Sequence, residues 1–180
     1  MVFVHESAGD YRTWLGQLRW FGRRYRAVTY SARGYLPSDI PLSAGDYSQD
    51  HQIEDLRGLL DALRIDSAHV CGLSMGSYTA LLFALKYPKR TRSLTVAGTG
   101  YGSGTDRMAF YKGVDDLVAR VRREGMETFA KEYAVTFNRV QLHNKDMRGW
   151  VEFRDQFIAH DPTGYAFSFD QVVKRRPSLY

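Results

Sequence analysis

At 180 residues and 20.6 kDa, with 44% hydrophobic and 25% charged residues, the chain carries enough apolar content for one globular core, which excludes disorder and coiled coil. The formal charge of +5 is thinly spread: Arg19/Arg23/Arg24/Arg26, Arg90/Arg92, Arg120/Arg122/Arg123 and Lys174/Arg175/Arg176 lie apart, mostly beside acids. They read as solvated faces, not as the coherent basic stripe that a nucleic-acid partner needs. The single Cys71 excludes a disulfide framework and fits a reducing, cytoplasmic compartment. No apolar run reaches membrane length, and Met1-Val2-Phe3-Val4-His5 lacks the basic start and the apolar length of a signal peptide.

Val2-Phe3-Val4 is a continuous apolar run, hence a buried strand. The loop Glu6-Ser7-Ala8-Gly9-Asp10 leads to a helix in which Trp14, Leu15 and Leu18 repeat at helical spacing. Tyr25 to Tyr30 is a second strand, closed by the turn-rich Arg33-Gly34-Tyr35-Leu36-Pro37-Ser38-Asp39. From Ser48 or Asp50 as N-cap, Ile53, Leu56, Leu59/Leu60 and Leu63 form one apolar stripe that ends by Arg64. Ala68 to Leu73 is a third strand, Met75 to Tyr87 an apolar helix stopped by Pro88, and Ser93 to Ala97 a fourth strand. Strands alternating with helices predict βαβ crossovers and a mainly parallel sheet covered by helices, an α/β fold. Past Thr99 only helical spacing is visible: Val114/Leu117/Val118/Val121, Phe129/Tyr133/Phe137 and Trp150/Phe153/Phe157, with Asp106 placed to cap the first of these helices. The boundaries expected are 1–100 for the α/β core and 101–180 for a helical segment.

Gly72-Leu73-Ser74-Met75-Gly76 carries the chemistry. Five letters of this kind are weak alone, but here the serine falls where a strand ends and a helix begins, a turn that presents its hydroxyl above the sheet in a strained conformation. Gly72 and Gly76 flank it because a Cβ there would collide as strand and helix close together. The helix starting at Met75 aims its first amides at the same spot, where an oxyanion would develop. The bland alternative is that Ser74 is only an N-cap.

The order of Val2-Phe3-Val4-His5, the Gly-containing loop with Trp14, Arg33 to Asp39, and Ala68 to Gly76 resembles the α/β-hydrolase superfamily, in its group of small esterases, enol-lactonases, non-metal haloperoxidases and carbon-carbon bond hydrolases. The resemblance covers residues 1 to about 100 and implies that 101–180 form a helical cap or lid. It implies Ser74 as nucleophile, with the backbone amides of Met75 and Ser7 as the oxyanion hole. Two departures stand out: Glu6, where the family usually has glycine after the histidine, and Ser77, where it often has another glycine. A carboxylate pointing into the site would oppose an oxyanion, so the Glu6 side chain is expected to turn away or to bond neighbouring backbone.

A serine nucleophile needs a histidine oriented by a carboxylate, and the family places the acid after its seventh strand and the histidine after its eighth. Neither position is matched here. His143 and His160 fall in cap-like helices and read as surface or core-satisfied histidines, His5 belongs to the oxyanion loop, His51 to the polar side of a helix and His69 to a strand. The resemblance therefore implies a partial fold, truncated at both ends, with four strands in the family's spatial order fourth, third, fifth, sixth. Both edges of such a remnant are open, and Leu94-Thr95-Val96-Ala97 carries no charge to block pairing, so self-association through the sheet edges is expected. The partner expected at the site is a small molecule, not nucleic acid or membrane. No cofactor and no metal is expected: the five histidines are far apart, and the glycine-rich Gly98 to Gly104 lacks the Lys-Ser/Thr of a phosphate loop. For the complete family member the implied activity is hydrolysis of a carboxylic ester or lactone; the alternatives are a catalytically incomplete fragment or binding protein, and carbon-carbon hydrolysis or halogenation within the family. The aromatic residues of the helical segment read mainly as packing, a few of them as pocket lining.

Overall fold

Val2, Phe3 and Val4 are all buried because this short strand, β1 (Val2–Val4), lies inside the sheet with a partner on each side. In the computed structural model, which describes residues 1–100, 102, 104 and 107–179, β1 pairs in parallel with β2 (Val28–Tyr30) and β3 (Ala68–Leu73). β3 pairs in parallel with β4 (Thr91–Ala97), so the four strands run in the order β2-β1-β3-β4. This is the all-parallel arrangement and strand order that the resemblance implies. The strand at Tyr25 to Tyr30 is shorter than expected, because the chain joins the sheet only at Val28, opposite Val2.

Between the strands run α1 (Leu15–Phe21), α2 (Gln49–Ala62) and α3 (Met75–Lys86). Phe3 points to one face and packs on Trp14 and Phe21. Val2, Val4 and Val70 point to the other and meet Ile53, Leu56 and Leu60 of α2 and Ala80 and Phe83 of α3. The period of two in the strands and the stripe in α2 thus interlock, and a fully buried Phe83 contributes about 2–3 kcal/mol through its apolar area. Ser48 caps α2, its hydroxyl accepting from the His51 amide at 3.0 Å. A buried polar chain ties the two helices: Gln49 Nε2 donates to Thr79 Oγ1, which donates to Gln52 Oε1, each at 2.9 Å. β4 is unlike the other strands, with Arg92, Ser93, Thr95 and Val96 all exposed at the sheet edge.

The second half is helical, as its spacing predicts: α4 (Met108–Tyr133), α5 (Phe137–Lys145), α6 (Met147–Ile158), α7 (Pro162–Phe167) and a π-helical turn over Ser168–Val173. α4 joins two of the periodic stretches across a kink at Gly125, whose φ of 75° and ψ of 170° only glycine adopts readily. Val118, Val121, Phe129, Phe157, Tyr165 and Val172 form an aromatic-rich core that also takes in Tyr35, Tyr47 and Met75 of the first half. The halves meet backbone to backbone at Gly34 and Gly164: a Cβ on Gly164 would stand 2.2 Å from the Gly34 carbonyl oxygen. The Arg33 guanidinium grips both oxygens of Asp55 on α2 at 2.6 and 2.7 Å, which holds the turn carrying Gly34 in place. Asp106, read from sequence as a helix cap, lies outside the described residues, as do Tyr101 and Ser103 of the glycine-rich exit.

Candidate active site

β3 ends at Leu73, α3 starts at Met75, and the one residue between them is Ser74, with φ 51° and ψ −114°. A non-glycine residue there is strained by about 1–3 kcal/mol, so the surroundings must impose it. They do so from both sides. The Ser74 amide donates to the Ala97 carbonyl at the end of β4, at 2.8 Å, while the Ser74 carbonyl accepts from the Ser77 amide at 3.0 Å and from the Ser77 hydroxyl at 2.6 Å. Thr99 Oγ1 in turn donates to Ser77 Oγ at 2.6 Å. The residue that departs from the family's glycine is therefore one of the elements that fix the turn.

The flanking glycines have the steric duty predicted for them. A Cβ on Gly72 would fall 2.2 Å from the Gly76 carbonyl oxygen, and one on Gly76 would fall 2.4 Å from that of Val4. All of these contacts are with backbone, which cannot rotate away. Ser74 holds the N-cap position of α3, yet its side chain makes no capping hydrogen bond. The hydroxyl is instead exposed on a cavity of about 640 Å³, which Ser7, Met75 and Gly98 line beside it and Val114, Leu117 and Phe169 line from the helical half. That volume suits a small organic molecule.

The loop carrying Ser7 is held by the fully buried His5. Its Nδ1 lies 2.7 Å from the Glu6 carbonyl and its Nε2 accepts from the Ala32 amide at 2.9 Å, which assigns the proton to Nδ1. Burial lowers the His5 pKa to about 4, with the nearby His160 adding to it, against the opposing pull of the Glu6 carbonyl and Asp10. His5 is a neutral strut. Glu6 does not line the cavity; its carboxylate lies near Gly9 and Thr13, turned away as expected. Asp10 caps the short turn Tyr11–Trp14, accepting from the Arg12 amide at 2.8 Å. Burial works to raise the Asp10 carboxyl, but His160 and Arg12 outweigh it and hold it well below the usual carboxylate range. The Cys71 thiol is pushed up by burial, which makes it a poor nucleophile.

His160, read from sequence as a surface or core-satisfied histidine, is buried without a hydrogen-bond partner for either ring nitrogen among the described residues. Its ring sits among Tyr35, Phe157 and Tyr165, with Nε2 3.8 Å from Asp10 Oδ2. At that distance the contact with Asp10 is too long for a hydrogen bond. His143 packs edge-on against Trp150, and His69 Nδ1 lies 2.8 Å from Ser93 Oγ on the sheet. Among the described residues, no histidine and no carboxylate lines the cavity, and no three His, Cys, Asp or Glu side chains converge to hold a metal ion. No helix there is long and apolar enough to cross a membrane.

One residue overturns its sequence reading. Arg176, grouped with Lys174 and Arg175 as a solvated face, is 6% exposed and lines the cavity that holds Ser74. Its guanidinium carbon lies 4.8 Å from the Tyr78 ring centre and 5.1 Å from that of Phe110. Nothing in the local Lys-Arg-Arg-Pro sequence marks it, because its burial is decided by α3 and α4, far away in the chain.

The comparisons with known proteins bear on the fold and the family. 3-Oxoadipate enol-lactonase 1 of Acinetobacter baylyi is 36% identical over 99 residues, covering 55% of this chain and 36% of that protein. A 2-hydroxy-6-oxononadienedioate/2-hydroxy-6-oxononatrienedioate hydrolase of Paraburkholderia phymatum is 34% identical over 106 residues, covering 57% of this chain and 36% of its own. The crystal structure of a hydrolase from Pseudomonas aeruginosa superposes with a TM-score of 0.84 at 27% identity, covering 98% of this chain and 64% of that one. The chain thus spans about a third of the length of these curated relatives and about two thirds of that solved structure. A family model described as the alpha/beta hydrolase fold matches residues 1–177, so the chain belongs to the α/β-hydrolase fold family.

Proposed function

We propose that this chain provides the nucleophile, the oxyanion hole and the cap of a serine hydrolase acting on carboxylic esters or lactone-like small molecules. The observation that carries the reading is Ser74 itself: strained, flanked by two obligatory glycines, and exposing on a cavity a hydroxyl that takes no part in capping the helix behind it. A serine that served only as an N-cap would bond the amides of its own helix and would not hold this conformation. In the reaction Ser74 Oγ bonds to the carbonyl carbon and gives its proton to a general base. The Met75 and Ser7 amides hold the resulting oxyanion, the alcohol or enol leaves with a proton, and water then cleaves the acyl-serine. Residues 101–180 act as the cap, closing the apolar side of the cavity over the core formed by 1–100.

A second reading draws on the lining of the cavity. With no histidine or carboxylate among the described lining residues, the chain alone would bind without turnover, the triad base and its acid being supplied from strands that the family places later in the fold. Hydrolysis of p-nitrophenyl acetate by the wild type and by Ser74→Ala separates the two. A rate lost in the variant supports the first, and equal background in both supports the second. Carbon-carbon hydrolysis, named for the Paraburkholderia relative, is the third arm of the same substrate panel. The open edge of β4 is the surface through which copies of the chain would self-associate, and a cytoplasmic setting suits a thiol without a partner.

A further inference from the structure

Arg19-Trp20-Phe21-Gly22-Arg23-Arg24-Tyr25-Arg26 carries four cations and three aromatic rings at the end of α1 and in the turn after it. Grouped from sequence with charges that mostly stand beside acids, it has no acid beside it: from Tyr11 to Ser38 the chain holds no Asp or Glu, and the carboxylates of Asp10 and Asp55 are taken by Arg12 and Arg33. Arg19, Arg23 and Arg24 are exposed and form no ion pair among the described residues. Trp20, Phe21, Arg23, Arg24 and Tyr25 surround a cavity of about 240 Å³. Tyr25 is also a wall of a second cavity, of about 170 Å³, which Arg26, His69 and Arg92 line. No acid lines either one. Phe21 packs on the buried Phe3 and on Tyr25, whose ring also meets the His69 ring edge-on at 5.9 Å, so the shared wall is fixed to the sheet. Val2, Ala68 and Arg92 place the second cavity at the starts of β1, β3 and β4, whereas Ser74 follows the end of β3, about 20 Å further along its six residues.

Two adjacent cavities, each combining flat rings with guanidinium groups and sharing one ring between them, match a ligand that repeats, with a flat ring and a negative charge at each step. Guanidinium groups hold phosphate oxygens through their planar fork, and exposed aromatic rings stack on unpaired bases. We propose that this end of the sheet binds single-stranded nucleic acid, with bases on Trp20 and Tyr25 and the phosphate backbone on Arg23, Arg24, Arg26 and Arg92. A duplex hides the faces of its bases and cannot stack on these rings. A lipid surface takes a helix with one apolar face and its cations on the other, whereas α1 has seven residues and the rings here alternate with arginines. The proposal does not depend on the role of Ser74, which lies at the other end of the sheet.

The test follows a fluorescein-labelled thymidine dodecamer by anisotropy against the full chain, with tryptophan emission recorded for the unlabelled strand. Trp14 and Trp150 are buried while Trp20 is 71% exposed, so quenching by the strand reports on Trp20. Binding is expected to weaken roughly twenty- to fifty-fold between about 50 and 200 mM salt, as about three to four phosphate contacts require. Trp20→Ala should weaken it roughly five- to a hundred-fold, the range for one stacked base. Arg23→Gln with Arg24→Gln should cut the loss over the same salt range to roughly three- to seven-fold. These side chains are exposed, so the variants keep the fold, and Lys112→Gln with Arg148→Gln, which removes two exposed charges elsewhere, should bind as the wild type does. No binding at the lower salt, an affinity that Trp20→Ala leaves unchanged, or a salt dependence that the arginine pair leaves unchanged overturns the proposal. Equal losses in the control pair and the arginine pair, or equal affinity for the strand annealed to its complement, overturn it too, as a response to net charge alone. So does tryptophan emission that shifts to the blue on phosphatidylserine vesicles and ignores the strand, which would mark a lipid surface.

Discussion

Acidification should unfold this protein through His5 well before its carboxylates titrate. His5 is fully buried with both ring nitrogens engaged, and protonating Nε2 would turn the Ala32 amide from a hydrogen-bond donor into a clash of two donors. Its pKa in the folded chain is about 4, lowered chiefly by burial, against about 6.5 for a free histidine, and that gap is worth about 3 kcal/mol. The unfolded chain takes up the proton first, so stability is flat above about pH 6.5, falls as pH drops, and has lost about 2 kcal/mol by about pH 5. For a chain of this size that lowers the melting temperature by roughly 4–8 °C. Urea unfolding from pH 7.5 to pH 4.5, compared between wild type and His5→Gln, isolates the effect: the variant is less stable at neutral pH but flatter across the window. Asp10 does not confuse the result, because its depressed pKa makes its contribution disappear only as pH falls below the ordinary aspartate value of about 4. An unchanged slope in His5→Gln, or His5 ring resonances that titrate above pH 6, would refute the reasoning.

Other measurements bear on the rest of the structure. Ser74→Gly should melt above Ser74→Ala, by an amount equivalent to about 1 kcal/mol, because glycine accepts φ 51° and alanine does not; equal melting temperatures would mean that the turn holds no strain. Gly164→Ala places a Cβ 2.2 Å from the Gly34 carbonyl oxygen, so the two halves must separate at a cost of about 1–3 kcal/mol in chemical denaturation, and a neutral outcome would deny the close approach. Val96, 43% exposed on the edge strand, gives a last one: Val96→Lys should shift the chain toward monomer in sedimentation velocity, whereas a wild type that is already a monodisperse monomer rules out edge pairing.

The parts of the fold legible in the sequence are those governed by short-range rules. Gly72-Leu73-Ser74-Met75-Gly76 could be placed because the strand before it and the helix after it announce themselves by apolar run and by Pro88, and the strained turn has a steric explanation within five residues. The Ser48 cap and the α2 stripe are similarly local. What escaped depends on contacts between distant segments. Arg176 looks like one of three consecutive basic residues, and only the docking of the last turn against Tyr78 and Phe110 makes it part of a cavity wall. His160 reads as an ordinary helical histidine, and its approach to Asp10 arises because the helical half folds back onto the loop after β1. The joining of two periodic stretches into α4 escaped because a glycine at φ 75° can either end a helix or bend it, and the neighbours decide which.

The hydrogen bond from the Ser74 amide to Ala97 ties the strained turn to the last residue of an edge strand. Edge strands are where a sheet opens first, so the shape of the turn shares a free energy with the fraying of β4. Each excursion that frees Ala97 lets Ser74 relax toward ordinary backbone angles. Conversely, a ligand that binds only the strained turn must slow hydrogen exchange along β4, although it never touches that strand. Amide exchange at the strand would therefore act as a remote reporter of occupancy at the serine.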